Sequence, residues 1–148
     1  MYKHILVATD GSDLATKGVN HGLYLAGKLG ARVTVLTVTE PLSSEVFRAA
    51  KSGGVHDPVL LHDQNMDERV AKIGEAIEAE AKKQGVSFEL MRETDSSPAE
   101  AIVRAAKLGN FDLIIMSSHG RRGVQKVLLG SQTSEVLVHT TIPVLVIR

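Results

Sequence analysis

The chain has 148 residues, of which 43% are hydrophobic, and its 17 lysines and arginines balance its 17 aspartates and glutamates. This length predicts one domain, residues 1–148, able to bury about 68–70% of its unfolded surface. Zero net charge and 3% aromatic content argue against nucleic-acid binding, which relies on a positive field and stacking side chains. Because there is no cysteine, a disulfide framework and a thiolate metal site are excluded, and a cytoplasmic protein is expected.

The first part of the chain alternates short β-branched runs with segments of helical period. No apolar run reaches the roughly 18 residues of a membrane span, and the N-terminal run predicts a strand rather than a signal peptide. Strands are predicted at residues 4–8 and 32–38. The helix between them is predicted to turn one narrow face to the sheet, formed by Leu14, Gly18, Gly22, Leu25 and Leu29.

Residues 39–65 interrupt this alternation, and so long a connection is usually functional or mobile. Within it, a short helix is consistent with Val46, Phe47, Ala49 and Ala50, whereas Ser52-Gly53-Gly54 suggests mobility. A second long helix is predicted to end near Gly85. Its inward positions are Met66, Val70, Ile73 and Ile77.

The last part of the chain predicts three further strands and two further helices. Residues 86–91 alternate with period two and predict an edge strand, whereas 113–116 and 144–147 are continuously apolar. Ser97, Pro98 and Glu100 form a capping box that opens a helix. The inward residues of that helix are predicted to be Ile102, Val103 and Ala106, and those of a last helix near Ser131 are Val136 and Leu137.

Strands that alternate with helices predict an α/β fold, with a single open five-stranded parallel sheet and helices on both faces. Ligands of such sheets bind at the carboxyl ends of the strands, where the strand order reverses. The loop Thr9-Asp10-Gly11-Ser12 and the loop from Ser117 to Ser131 therefore line one crevice if the first and fourth strands are neighbours.

The loop after the fourth strand has the composition of a phosphate site. Gly130-Ser131 stands at a predicted helix N-terminus, where free N–H groups and the helix dipole favour an anion, and Gly120 adds a second glycine turn. Arg121 has the planar fork that suits phosphate. The alternatives are that Ser131 is an ordinary N-cap, that Gly130 is a turn residue and that the arginine is a solvated loop residue.

Two polar side chains beside this loop have open roles. Asp10 suits a ribose hydroxyl or a metal-bound water; alternatively it caps the first helix, a role that Ser12 and Asp13 already fill. His119 has no nearby serine or cysteine nucleophile of the G-x-S-x-G kind. The histidines lack zinc-site spacing, and neither G-x-x-x-x-G-K-[ST] nor G-x-G-x-x-G occurs.

These segments together resemble the universal stress protein family over the whole chain. Residues 5–12, ILVATDGS, are similar to its opening strand, and the family's closing strand is similar to residues 142–147, IPVLVI. The G-x2-G-x9-G-[ST] pattern of the nucleotide-binding branch is matched by Gly120, Gly130 and Ser131, with Ser117 in the first glycine position. The resemblance implies a Rossmann-like, adenine nucleotide alpha hydrolase-like sheet with strand order 3-2-1-4-5.

The resemblance also implies an ATP pocket, assisted by Mg or Mn that phosphates and water hold. Adenine would meet Ala8 and Val38, beside Thr9, and the ribose side would meet Asp10. The pocket floor and the phosphate contacts would come from Met116, Ser117, Gly120, Arg121, Gly130, Ser131 and Gln132.

The function expected from this is an ATP-binding stress-response protein that acts as a nucleotide-dependent sensor or switch. Two alternatives remain: a nucleotide-free dimeric adaptor with an unknown protein partner, and a slow ATP hydrolase or autokinase, for which His119 and Asp10 are the evident general bases. Residues 144–147 are expected to form a homodimer by antiparallel pairing, because an apolar sheet edge needs cover. The alternative is a monomer whose last helix or long loop covers that edge.

Overall fold

The computed structural model of the protein describes residues 1–120 and 129–148. Its five strands are β1 His4–Ala8, β2 Arg32–Thr39, β3 Phe88–Thr94, β4 Leu113–Ser117 and β5 Val144–Ile147. The helices that it describes are α1 Asp13–Leu29, α2 Ser44–Ser52, α3 Pro58–Gln84, α4 Pro98–Leu108 and α5 Ser131–His139. In this described part no helix combines the length and apolarity needed to cross a membrane.

The strands form one parallel sheet in the order β3-β2-β1-β4-β5, which confirms the predicted fold class. β1 lies at the centre, where Ile5 pairs with Val33 of β2 on one side and with Leu113 of β4 on the other. The chain moves from β1 to one edge and then returns to β4 on the other side. The strand order therefore reverses between β1 and β4, and a ligand crevice is expected at their carboxyl ends.

Alternate side chains of the strands feed two cores, one on each face of the sheet. On one face Ile5 and Val7 of β1 pack with residues of α1 and α3. On the other face Leu6 and Ala8 pack with residues of α4 and α5. The strands at the centre are buried on both sides, as their continuous apolar runs predict.

The inward face of α1 differs in part from the predicted one. Gly18 and Gly22 face the sheet as predicted, but Leu29 is 43% exposed. A side chain on Gly22 would place its Cβ 2.6 Å from Val7 Cγ2, so the glycine allows α1 to approach the sheet closely. The apolar side chains that α1 buries are Ala15, Val19, Leu23 and Ala26; of the predicted leucines, Leu14 and Leu25 are only half-buried, although Leu25 packs against the same core.

α2 is the short helix that Val46, Phe47, Ala49 and Ala50 suggested within residues 39–65. Three other features depart from the sequence-based expectation. α3 begins at Pro58, well before Met66. At the start of α4, the Ser97 N–H donates to Asp95 Oδ1 at 2.9 Å, so an aspartate replaces the expected glutamate of the capping box. In α5, Val136 is buried but Leu137 is 42% exposed.

Candidate functional site

The loops that follow β1 and β4 meet at the carboxyl end of the sheet. A side chain on Gly120 would place its Cβ 2.8 Å from Asp10 Oδ2, so any larger residue there would require the Asp10 carboxylate to shift. The other carboxylate oxygen of Asp10 accepts from the Ser12 N–H at 3.0 Å. Thr9 Oγ1 accepts from the Gly11 N–H at 3.2 Å. The β1 loop is therefore a compact turn that holds the Asp10 carboxylate against Gly120.

The first turn of α5 lies beside this contact, and within the described residues its N-cap makes no side-chain hydrogen bond to the helix. Gly130 is its N-cap, with φ −70° and ψ 156°, and Ser131 is the first helical residue, with an exposed side chain. The alternative in which Ser131 is the N-cap is thus wrong. The N-caps of α1 to α4 are Ser12, Ser43, Asp57 and Ser97, and each side chain accepts a hydrogen bond from the helix backbone.

Gly130 packs directly against the end of β4. Its N–H donates to the Ser118 carbonyl oxygen at 2.8 Å, and a Cβ on Gly130 would lie 2.8 Å from the same oxygen. Thr133, one turn into α5, is buried, and its Oγ1 donates to the carbonyl oxygens of Ser117 at 2.9 Å and Ser118 at 3.2 Å. Sequence reasoning missed Thr133, whose only signal is a hydroxyl at an inward helical position.

The apolar residues predicted for the adenine side lie on one face of the sheet. Ala8 and Met116 are buried in the core beneath α4 and α5, and Val38 packs against the same cluster. Ser117 is buried at the end of β4 and its Oγ donates to the His119 carbonyl at 2.8 Å. Its φ lies outside the left-handed region, so a serine meets no backbone penalty in the first glycine position of the motif.

Gln132 and Arg121 are two further residues predicted to contact the phosphates. The side-chain oxygen of Gln132 accepts from the Ala99 N–H at 2.9 Å, which ties the first turn of α5 to that of α4. The side-chain oxygen of Gln132 is therefore engaged within the protein. Arg121 lies outside the described residues.

The imidazole of His119 lies beside Ser118 and Gly130. Its Nδ1 lies 3.0 Å from Ser118 Oγ, and its Cδ2 lies 3.6 Å from where a Cβ on Gly130 would be. Its Nε2 is buried and has no hydrogen-bond partner among the described residues. A buried nitrogen without a partner carries a desolvation cost of about 1–3 kcal/mol, which a polar atom in the crevice would relieve.

A cavity of about 410 Å³ opens on the opposite side of the β1 loop, between α1 and α3. Thr9 and Asp10 belong to its lining, together with Asn20 and Lys72. Neither Gly120 nor Gly130 lines it, so this cavity is separate from the first turn of α5. Among residues 1–120 and 129–148, no cluster of three or more histidine or acidic side chains could hold a metal ion.

An open parallel sheet of order 3-2-1-4-5, with glycine turns and a helix start at its switch point, defines a Rossmann-like α/β protein. The model of the universal stress protein family matches residues 1–148, and the chain belongs to that family.

Individual relatives are similar to this chain over its full length. The chain is 31% identical over 151 residues to the universal stress protein YxiE of Bacillus subtilis, with 100% of both chains covered. It is similar to the solved structure of MJ0577 of Methanocaldococcus jannaschii, with 28% identity, a TM-score of 0.78, and 99% of this chain and 96% of that chain covered. The universal stress protein of Archaeoglobus fulgidus in complex with dAMP matches with 20% identity, a TM-score of 0.65, and coverage of 99% and 98%.

Proposed function

We propose that the protein binds ATP, with Mg or Mn assisting, and acts in the stress response as a nucleotide-dependent switch. The observation that carries this proposal is the first turn of α5. It starts at Gly130 without a side-chain cap, at the carboxyl end of β4. The N-terminus of a helix concentrates backbone N–H groups and a partial positive charge, which together favour a phosphate.

The phosphates are assigned to the turn of Gly130, Ser131 and Gln132. The N–H of Gly130 is bonded to the Ser118 carbonyl oxygen, so the donors are the backbone N–H groups of Ser131 and Gln132 and the Ser131 hydroxyl. Ser131 is exposed at the first position of the helix, where its side chain is accessible to a ligand. The buried Nε2 of His119 supplies one more polar group beside this turn. Arg121 keeps its predicted role as a phosphate ligand on sequence grounds.

The nucleoside is assigned to the ends of β1, β2 and β4. Ala8, Val38 and Met116 are assigned to adenine; they lie in or against the apolar core on the side of the sheet that α4 and α5 cover, where Ala8 and Met116 are buried. Asp10, held by the Ser12 N–H, offers a carboxylate to the ribose hydroxyls, and Thr9, Ser117 and Gly120 complete the walls. The Archaeoglobus relative binds dAMP, but at 20% identity that likeness shows the fold alone, so the proposal rests on these residues.

Calorimetry and nucleotide extraction test the proposal together. Protein precipitated with acid is expected to release a nucleotide that chromatographs as ATP or its hydrolysis product. The stripped protein is expected to bind ATP with a Kd of about 1 mM or tighter, more tightly with Mg or Mn than with a chelator, and to bind GTP more weakly. Absence of both nucleotide and binding heat would contradict the proposal and favour the adaptor function. Phosphate release in the same samples measures any hydrolysis.

We further propose a homodimer through β5. β5 lies at one edge of the sheet, where Leu145 is 38% exposed and Val144 and Val146 are only half-buried. An apolar edge strand is an aggregation hazard that antiparallel pairing with its own copy removes. Sedimentation is expected to give an assembly above the 15.9 kDa of one chain, and Val146→Lys is expected to lose that pairing. An assembly that Val146→Lys leaves unchanged would overturn the β5 dimer.

A further inference from the structure

The cavity between α1 and α3 is one continuous concave surface, formed by two helix faces and the β1 loop. Its volume of about 410 Å³ lies within the range of about 300–1,000 Å³ that small-molecule sites occupy. On α3 the lining positions are 69, 72, 73, 76 and 77, which recur at helical spacing and therefore share one side of the helix. On α1 the lining positions 16, 19 and 20 share one side in the same way.

The cavity has an apolar floor and is closed at one end. Val19 and Ile77 belong to the buried core beneath α1 and α3, and Ile73 packs against that core. The β1 loop forms the closed end, because a Cβ on Gly11 would lie only 3.0 Å from Ile73 Cδ1. Gly11 has a φ of +79°, in the left-handed region that favours glycine, so the loop can turn close beneath α3. A ligand therefore meets an apolar surface that extends from the β1 loop between the two helices.

The polar side chains of the lining include hydrogen-bond donors that have no acceptor. Thr9 is 7% exposed, and its Oγ1 accepts from the Gly11 N–H at 3.2 Å. Among residues 1–120 and 129–148, no group accepts the hydroxyl proton of Thr9. In the same described ranges, neither the Lys72 ammonium nor the Asn20 amide has a hydrogen-bond or ion-pair partner. Because a buried donor without an acceptor is unfavourable, these groups favour a ligand that carries acceptors.

The charges of the lining favour an anionic ligand. Arg69 and Lys72 are its two basic side chains, and Asp10 is its one acidic side chain, so the lining as a whole is positive. Asp10 Oδ1 already accepts from the Ser12 N–H at 3.0 Å, which satisfies part of its need for donors. An anion that enters the cavity is therefore attracted by the basic side chains of α3.

We infer that this cavity binds a small organic anion, a molecule with a carboxylate, phosphate or sulfonate group and an apolar body. Lys72 attracts the anionic group and Thr9 can donate to it, while the apolar body covers Ile73. A neutral apolar molecule would leave the donors without acceptors, and a cation would meet a positive lining. Neither Gly120 nor Gly130 lines the cavity, so the inference does not rest on the proposed ATP site.

Fluorescence titration with anilinonaphthalene sulfonate, a sulfonate with an apolar aromatic body, tests the cavity itself. The wild type is expected to bind one molecule per chain. Ala76→Leu fills the space between the helices and is expected to weaken this binding at least about tenfold. Ala79→Leu is the matched control, because Ala79 is also exposed on α3 but lies outside the lining, and it is expected to leave the affinity unchanged. Absence of binding by the wild type, or equal affinities of the wild type and folded Ala76→Leu, would overturn the inference.

A second comparison tests whether the site recognises the charge of its ligand. Lys72→Glu is expected to weaken the binding of anilinonaphthalene sulfonate about tenfold and to leave the binding of phenylnaphthylamine, the same body without the sulfonate, unchanged. Lys107→Glu makes the same charge change on α4, on the other face of the sheet, and is expected to affect neither probe. Gly130→Val is expected to leave the affinity for the sulfonate unchanged. Loss of sulfonate binding in folded Gly130→Val, with none in Lys72→Glu, would place the anion at α5 and overturn the inference.

Discussion

The first turns of α4 and α5 lie side by side on one face of the sheet, yet they satisfy their backbone N–H groups in opposite ways. At α4, Ser97 Oγ accepts from the Glu100 N–H, and Asp95 accepts from the Ser97 N–H and from Arg104. At α5, the N-cap is Gly130 and no N-cap side chain accepts from the helix. A helix start closed by its own acceptors has little left for a ligand, whereas an open start retains its N–H donors for an anion.

A substitution at Gly130, the N-cap of α5, is expected to have the largest effect on ATP affinity. Gly130→Val places a branched side chain where the phosphates are assigned and lowers ATP affinity at least about a hundredfold, about 3 kcal/mol. Because the new Cβ would lie 2.8 Å from the Ser118 carbonyl oxygen, we also expect a stability loss of about 1–3 kcal/mol. Calorimetry on protein shown by circular dichroism to be folded measures the first effect and thermal melting the second.

The matched control is Gly53→Val, at another helix end with negative φ and an ordinary 3.4 Å approach to the Ala49 carbonyl oxygen. It is expected to leave ATP binding unchanged. A folded Gly130→Val protein with wild-type affinity would move the phosphates away from α5.

Substitutions at the contact between Gly120 and Asp10 are expected to have the next largest effect on ATP affinity. Gly120→Ala pushes a methyl group against Asp10 Oδ2 and is expected to weaken ATP binding about tenfold. Asp10→Ala removes a ribose contact without adding bulk and is expected to cost less. In the double variant the methyl group no longer meets a carboxylate, so the two losses are expected to be less than additive. Strict additivity in calorimetry would show that Gly120 and Asp10 act independently.

Removing the N-cap side chain of α4 is expected to lower the stability of the protein and to leave ATP binding unchanged. Ser97→Ala removes the side-chain acceptor of the Glu100 N–H and costs about 1 kcal/mol of the free energy of unfolding. Urea denaturation measures this loss, and ATP affinity measured in parallel is expected to stay at the wild-type value. A large loss of affinity in a folded Ser97→Ala protein would show that α4 also takes part in the site.

The smallest expected effect is a pH dependence of the α4 start. The Ser97 N–H and then Arg104 lower the pKa of Asp95 below its ordinary value. Asp95 therefore contributes stability that is present above its unfolded pKa, about 3.9, and that is lost as the pH falls through the lower folded value. We expect Asp95→Asn to unfold with a shallower pH dependence below pH 4 than the wild type. Identical acid-unfolding profiles of the two proteins would contradict this account.

The parallel sheet and the position of the crevice could be predicted because strong local patterns carry them, whereas the strand order was implied by the resemblance to the family. Continuous apolar runs mark β4 and β1 as central strands, and Gly130-Ser131 marks the start of α5. Gly18 and Gly22 correctly indicate the side of α1 that approaches the sheet, because a side chain at Gly22 would collide with Val7.

What the sequence did not predict depends on contacts between distant residues. The leucines of α1 suit two adjacent helical faces, and packing against α3 and the sheet selects the face of Val19 and Leu23. The sequence did not predict where α3 begins. Val59, Leu60 and Leu61 are consecutive and exposed, and neither an amphipathic helix nor a buried helix has this pattern. The Gln132 side chain bonds to Ala99, 33 residues earlier, and no local pattern predicts that partner.

The hydrogen bonds around α5 also imply an order of assembly during synthesis. The Ser118 N–H donates to the Ile147 carbonyl oxygen at 2.8 Å, and Gln132 and Thr133 bond to residues well before them in the chain. Forming such contacts requires closing long loops, which local helices such as α1 do not need. A nascent chain that still lacks β5 would therefore have its first helices in place before the Gly130 turn is fixed, so the proposed nucleotide site would be among the last parts of the fold to form as the chain leaves the ribosome.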